Sequence, residues 1–163
     1  MRLLLPLLLA VANHAHAGTP SFSLQSAFDG PDRCLDIVNA GDQDQLRMAS
    51  CGRYWGQMWT VEPDQEKGFV RLQTLFTGKA KCLDVVNDGE NSEVRMAPCA
   101  NVTGQQWRLA RRGRGSGLRL WNRFTGIEKC LEVVNDGSGR VQLATCGDDA
   151  GQDWTMRRSA SAF

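Results

Sequence analysis

The sequence predicts an all-β domain with three-fold pseudo-symmetry, built from three repeats of about 48 residues with four strands each. The segment CLDVVNDGENSEVRMAPCANVTGQQW, at 82–107, has one counterpart that begins at Cys34 and another that begins at Cys130. The first cysteines of the three copies are 48 and 48 residues apart, and the last tryptophans are 48 and 47 residues apart. The apolar runs are short, turn residues separate them, and no helical periodicity is present. A fixed period of this size indicates one structural unit used three times.

Alternating apolar and polar residues open each repeat, and this period of two predicts a half-buried strand. The three opening segments are FSLQ at 22–25, VRLQ at 70–73 and LRLW at 118–121. A Phe-x-Gly turn follows each segment, and we expect the phenylalanine to join the core and the glycine to supply a positive φ. These phenylalanines are Phe28, Phe76 and Phe124.

Three further strands follow in each repeat. The second strand is the CLDV-type run, the third precedes the second cysteine, and the fourth carries a Q-x-W triplet. We expect the repeats to span about 22–69, 70–117 and 118–158. The linker between the last two, RRGRGSG at 111–117, resembles an RNA-binding Arg-Gly tract, but one short run in a near-neutral chain favours a solvated loop.

The first 17 residues have the pattern of a signal peptide. Arg2 precedes the apolar run at 3–11, and Ala15-His16-Ala17 is a small-x-small cleavage pattern. The run is shorter than the roughly 20 residues that span a bilayer, and no later stretch could cross a membrane. We therefore expect 1–17 to be removed and 18–163 to form a single secreted domain, extracellular or periplasmic.

The composition disfavours several classes of function. Both histidines, His14 and His16, lie in the expected signal peptide, so the mature chain would lack the usual general base and the commonest metal ligand. The spacings C-x16-C, C-x16-C and C-x15-C in an exported chain indicate three disulfides and not zinc ligands. Asp148 and Asp149 would face opposite ways on a strand, which excludes them as a glycosidase pair. Because the net charge is only +1, we expect no nucleic-acid partner. From the other observations we expect no catalysis, cofactor or metal.

Three copies of C-L-[DE]-[IV]-V-N, each followed by Q-x-W, resemble the ricin B-type lectin domain, a β-trefoil, over nearly all of 18–163. The resemblance implies one potential sugar pocket in each repeat and disulfides within the repeats. Six cysteines permit 15 pairings, and the repeat symmetry also favours pairing within each repeat. The expected disulfides are Cys34–Cys51, Cys82–Cys99 and Cys130–Cys146.

The Q-x-W triplets predict a shared core. Glutamine and tryptophan two residues apart in a strand point to the same face, so we expect the tryptophans to fill the interior around the three-fold axis. These core tryptophans are Trp59, Trp107 and Trp154. Their partly buried glutamines need hydrogen-bond partners, most simply the backbone of the neighbouring CLD strand.

The acidic residue of each CLD run is the strongest candidate for ligand contact. Leu83 and Val85 share one face, so Asp84 points the other way, where a carboxylate can accept from two adjacent sugar hydroxyls. The lectins that this chain resembles use the acid at this position to bind sugar. Asp36 matches the position, and Glu132 keeps the charge on a longer side chain. The alternative is that these acids cap the following turn. Because they face away from the core, we expect their exchange for asparagine to leave thermal stability nearly unchanged.

The chain departs from galactose-binding relatives at several positions. Alanine stands where those relatives carry an aromatic platform, two residues before the second cysteine, at Ala49, Ala97 and Ala144. Glycine stands where they often place asparagine, at Gly56, Gly104 and Gly151, and the position four before the second cysteine holds Arg47, Arg95 and Gln142. Tyr54-Trp55 is an aromatic substitute in the first repeat, whose pocket we expect to be the most active. The full candidate set for sugar contact is Asp36, Arg47, Tyr54, Gln57, Asp84, Arg95, Gln105, Glu132, Gln142 and Gln152.

The leading hypothesis is therefore a secreted carbohydrate-binding protein with up to three shallow pockets and glycans as its partners. One alternative is the cell-binding subunit of a multi-chain toxin, for which the sequence shows no long extension outside the repeats. Another is a trefoil with degenerate sugar sites that acts in protein–protein interaction. An enzyme-inhibitor role is disfavoured because no inserted loop interrupts the 48-residue period.

Overall fold

The alternating segments of all three repeats form short strands. The computed structural model describes 19–113 and 117–159, so the expected signal peptide at 1–17 and part of the 111–117 linker lie outside the described residues. Twelve strands are present in these ranges, four in each repeat as predicted. They are β1 Phe22–Ser26, β2 Arg33–Ile37, β3 Leu46–Ser50, β4 Trp59–Pro63, β5 Val70–Thr74, β6 Lys81–Val85, β7 Val94–Pro98, β8 Trp107–Arg111, β9 Leu118–Asn122, β10 Gly126–Val133, β11 Val141–Thr145 and β12 Trp154–Arg158.

Six of the strands close into a barrel. Strand β1 pairs with β12 and β4, β5 pairs with β4 and β8, and β9 pairs with β8 and β12, all antiparallel. The other six form three hairpins, β2–β3, β6–β7 and β10–β11. A six-stranded barrel with three such hairpins is the β-trefoil architecture. The predicted fold class is therefore confirmed.

The three hairpins meet in a ring of backbone hydrogen bonds around the pseudo-three-fold axis. Met48 N donates to Gly139 O at 2.7 Å, Met96 N to Asp44 O at 2.7 Å, and Leu143 N to Ser92 O at 2.7 Å. Each hairpin therefore donates to the hairpin of another repeat. These three bonds join the hairpins of all three repeats to one another.

The barrel interior contains the three repeated tryptophans. Trp59, Trp107 and Trp154 are buried, and each indole Nε1 donates to the backbone oxygen of the leucine in the CLD or CLE run, at 2.9, 2.8 and 2.8 Å. Each repeat also contains the disulfide expected for it: Cys34–Cys51, Cys82–Cys99 and Cys130–Cys146. None of the helices in 19–113 and 117–159 has the length and hydropathy to span a membrane.

The fourth strand of each repeat begins at the tryptophan, two residues after the glutamine that was expected to be in the strand. The preceding glutamine ends a 3₁₀ turn, and these turns cover Trp55–Gln57, Thr103–Gln105 and Ala150–Gln152. The central residue of each turn is a glycine: Gly56, Gly104 and Gly151. Glutamine and tryptophan are both buried. Because the chain turns between them, the two side chains lie in different environments.

The repeated phenylalanines are not core residues, so that expectation was wrong. Phe28 is 40% exposed, Phe124 is 36% exposed, and Phe76 is half-buried at the edge of the core. The reason is that the tryptophans and leucines already fill the barrel. Glycine supplies the expected positive φ in each of these turns, at +79° for Gly30, +55° for Gly78 and +76° for Gly126.

Candidate functional site

The acidic residues of the CLD and CLE runs lie on the outer faces of β2, β6 and β10. Alternation along β6 buries Leu83 and Val85 and leaves Asp84 half-buried on the opposite face. Asp36 on β2 and Glu132 on β10 occupy the equivalent positions and are half-buried as well. The three carboxylates are therefore at equivalent places around the barrel, where the outer strand meets the 3₁₀ turn.

A buried glutamine holds each carboxylate in place. In the second repeat, Gln105 Nε2 donates to Asp84 Oδ2 at 3.0 Å and to Pro98 O at 2.9 Å, and Gln105 Oε1 accepts from Ala100 N at 2.8 Å. Gln57 Nε2 donates to Asp36 Oδ2 at 3.0 Å in the first repeat. Gln152 Nε2 donates to Glu132 Oε2 at 2.6 Å in the third.

These contacts differ from the expected ones. The glutamines bond the acidic side chain and the backbone at the end of the third strand, whereas the backbone of the CLD strand accepts from tryptophan. Because the glutamines are buried and every polar atom of Gln105 is occupied, they lie beneath the carboxylates. We assign Gln57, Gln105 and Gln152 the role of orienting the acids.

Glycine is required at the centre of the 3₁₀ turn because the carboxylate lies against it. A Cβ on Gly56 would be 2.4 Å from Asp36 Oδ1, and a Cβ on Gly104 would be 2.3 Å from Asp84 Oδ1. At Gly151 the nearest atom would be the backbone oxygen of Val133, at 2.8 Å. Gly56 and Gly104 therefore leave room for the carboxylates of Asp36 and Asp84.

Exchanging Gly104 for alanine should displace the Asp84 carboxylate and lower the free energy of unfolding by about 1–3 kcal/mol, since a buried amide loses a charged acceptor. Denaturant unfolding at neutral pH measures the loss. The double variant G104A/D84A supplies the control, because the alanine at 104 has no carboxylate to displace there and should add little. Additive losses would show that the glycine acts through another contact.

Two shallow depressions open beside the first two acids. The first has a volume of 390 Å³, and Asp36, Tyr54, Trp55 and Phe76 line it. The second has a volume of 460 Å³, and Asp84, Arg95, Val102 and Phe124 line it. Tyr54 and Trp55 are 61% and 56% exposed. Each depression thus combines one carboxylate with exposed apolar side chains.

The aromatic wall of each depression comes from the following repeat. Phe76 of the second repeat lines the first depression, and Phe124 of the third repeat lines the second. Backbone bonds dock these turns: Leu75 N donates to Met58 O at 2.9 Å, and Arg123 N donates to Gln106 O at 2.9 Å. The sequence signal for this wall is a phenylalanine at a fixed place in each turn, and the expectation that this phenylalanine joins the core is wrong.

The same docking brings the first repeat against the third. Ala27 N donates to Asp153 O at 2.8 Å, and Phe28 N donates to Ala150 O at 3.2 Å. Phe28 therefore lies beside the 3₁₀ turn of the third repeat, next to the part of the chain that orients Glu132. The three turns close a ring in which each repeat contributes to its predecessor.

The residues opposite the acids in the hairpins differ between repeats. Arg47 lies opposite Asp36, Arg95 opposite Asp84, and Gln142 opposite Glu132. Both arginines are exposed, and no ion pair in the described residues joins either to the facing aspartate. Arg95 lines the second depression, whereas the arginine that lines the first is Arg53.

Other acids cap the turns that follow these strands. Asp88 Oδ1 accepts from Asn91 N at 2.7 Å, and Asp136 Oδ1 accepts from Ser138 N at 2.9 Å. Hydrogen bonds from Ser138 and then Arg140 lower the pKa of Asp136 to about 2. Asp84, in contrast, accepts from Gln105 and from Val85 N, at 3.0 and 2.8 Å. In the second and third repeats, Asp88 and Asp136 therefore make these turn contacts.

Comparison with known proteins agrees with this architecture. The family model described as "Ricin-type beta-trefoil lectin domain" matches 21–154. No curated protein gives a significant match to the chain. Among solved structures, the designed three-fold symmetric protein ThreeFoil is 25% identical with a TM-score of 0.72, over 84% of this chain and 97% of that one.

Two natural proteins share the fold. The ricin B-like lectin of Macrolepiota procera, solved in complex with lactose, is 14% identical with a TM-score of 0.70, over 89% of this chain and 99% of that one. An exo-β-1,3-galactanase from Clostridium thermocellum is 17% identical with a TM-score of 0.74, over 88% of this chain. The chain spans only 31% of that enzyme.

Proposed function

Because the chain belongs to the ricin-type β-trefoil lectin family, whose domains bind carbohydrate without catalysis, we propose that it is a secreted glycan-binding protein that uses the depressions beside Asp36 and Asp84. The observation that carries this proposal is the pairing of a glutamine-held carboxylate with an exposed aromatic wall in one depression. The carboxylate is suited to sugar hydroxyls, and the aromatic wall to the apolar face of a pyranose ring.

The carboxylate would accept hydrogen bonds from two adjacent hydroxyls. Each Asp84 oxygen accepts one bond from the protein, and a carboxylate oxygen has a second lone pair for a ligand. The bond from Gln105 orients the group before a ligand arrives, which lowers the entropy lost on binding. The phenylalanine from the following repeat would stack on the sugar, in place of the platform that alanine replaces at Ala97.

We expect each pocket to be weak and the three to be unequal. Water competes for every sugar hydroxyl, so each hydrogen bond contributes about 0.5–1.5 kcal/mol. The first pocket should bind best because Tyr54, Trp55 and Phe76 give it the most aromatic surface. Glu132 is longer than its counterparts, which shifts its carboxylate and sets the third pocket apart. Useful avidity would come from several pockets on one branched or polymeric glycan.

Secretion is part of the proposal. Three disulfides in a domain of this size are typical of proteins that fold in an oxidising compartment. The apolar segment at 3–11 and the cleavage pattern at 15–17 would direct the chain there. The toxin-subunit and protein–protein alternatives stay predictions, since no contact among the described residues favours either.

A glycan array probed with refolded 18–163 tests the function, and single variants test the pockets. Phe124→Ala should weaken the second pocket and Tyr54→Ala the first, each by up to about tenfold because a stacking contact is worth about 0.5–1.5 kcal/mol. Ile127→Ala is the matched control, an apolar side chain 69% exposed that lines neither depression. An array without any binding, or equal losses for Ile127→Ala, would contradict the proposal.

A further inference from the structure

Arg95 adds a guanidinium to the second depression, and no ion pair among the described residues engages it. Its side chain is exposed, it lines the depression with Asp84 and Phe124, and it takes part in none of the ion pairs of the described residues. An unpaired guanidinium offers five N–H donors in a planar fork that matches a carboxylate or a sulfate. It is therefore available to a ligand.

Asp84 faces Arg95 across the hairpin but forms no ion pair with it. Asp84 and Arg95 lie directly opposite in the β6–β7 ladder, where Cβ atoms are about 4.5–5.5 Å apart. An ion pair would be easy to form at that spacing. Asp84 instead accepts from Gln105 Nε2 and from Val85 N, and it lies against Gly104. Asp84 and Arg95 are therefore two separate groups that one ligand could contact.

We propose that the second pocket selects a pyranose that carries an anionic substituent, a hexuronate or a sulfated hexose. This proposal rests on the proposed glycan-binding function. Two hydroxyls of the sugar would donate to Asp84, and its carboxylate or sulfate would accept from Arg95. A separation of one cross-strand pair is close to the width of one pyranose ring, so a single sugar residue can reach both groups.

The first repeat has a counterpart of this cation, Arg47, but that residue does not line the first depression. Gln142 replaces the arginine opposite Glu132 in the third repeat, so that position has no cation. The whole chain has a net charge of +1, and therefore no general field attracts polyanions. Binding of an acidic glycan would thus depend on Arg95 and not on the surface as a whole.

The test uses a background in which Asp36→Asn and Glu132→Gln weaken the first and third pockets. The probes are two matched pairs: oligogalacturonate with its methyl ester, and a sulfated galactan oligosaccharide with its desulfated form. We expect the charged member of a pair to bind about tenfold more tightly than its neutral form, the value of one charge-assisted bidentate contact. Which pair shows the difference distinguishes a carboxylate from a sulfate.

Two variants decide the cause. Arg95→Gln, which reproduces the residue of the third repeat, should remove the difference between charged and neutral probes. Arg111→Gln, which removes the same charge at the far end of β8, should preserve it. Equal affinity for charged and neutral probes would overturn the anionic specificity and leave the glycan-binding function standing. An equal loss for Arg111→Gln would also overturn it, and binding to no glycan at all would overturn both proposals.

Discussion

Exchange of Asp36 and Asp84 together for asparagine should abolish retention on an immobilised polysaccharide and lower the free energy of unfolding by about 1–3 kcal/mol per site. The structure gives the reason for both effects. Asparagine has a single acceptor oxygen, and if that oxygen accepts from Gln105 Nε2, the amide nitrogen faces the donor Val85 N. The exchange therefore disturbs the ligand-binding group and a buried hydrogen bond at once.

This expectation replaces the one drawn from the sequence, which was unchanged stability. The acids do face away from the core, but they are the acceptors of buried glutamines. Asp88→Asn is the matched control, because the Asp88 bond from Asn91 N needs only one oxygen and asparagine keeps it. Retention on polysaccharide and thermal melting measure the two effects. A double variant that binds as well as the parent would remove these acids from the pocket.

Exchange of Trp107 for alanine should lower the free energy of unfolding by about 3–5 kcal/mol, which is enough to unfold many domains of this size. The indole is fully buried, and its removal leaves a cavity and an unpaired oxygen on Leu83. Urea unfolding of the oxidised protein measures this loss. The disulfides must be kept intact during the measurement, because they restrict the unfolded chain and so contribute to the stability themselves.

Trp55→Ala is the matched control for this prediction. Trp55 is the same residue type, but it is 56% exposed and lines the first depression. Its removal should change stability by about 0.5 kcal/mol or less and should weaken glycan binding at the first pocket. If both tryptophan variants lost the same stability, the division between core and pocket tryptophans would be wrong.

The sequence by itself determined the three-fold unit, the number of strands and the disulfides. Strand alternation, turn residues and a cysteine period of 48 are local or regular features, and each can be recognised without knowing which strands pair. Within one strand, the period of two also placed Asp84 on the face opposite Leu83 and Val85. Those inferences needed only the order and spacing of residues along the chain.

Tertiary structure decided what surrounds the acids. Gln105 and Asp84 are 21 residues apart, and no spacing rule joins an amide in a 3₁₀ turn to a carboxylate on another strand. The aromatic walls came from further away still, because Phe124 reaches the second pocket only after the third repeat docks on the second. A repeated phenylalanine has the same sequence pattern whether it packs inward or at a rim. Its role is settled when the barrel closes, since closure fills the interior with tryptophan and leucine and leaves the turn at the surface.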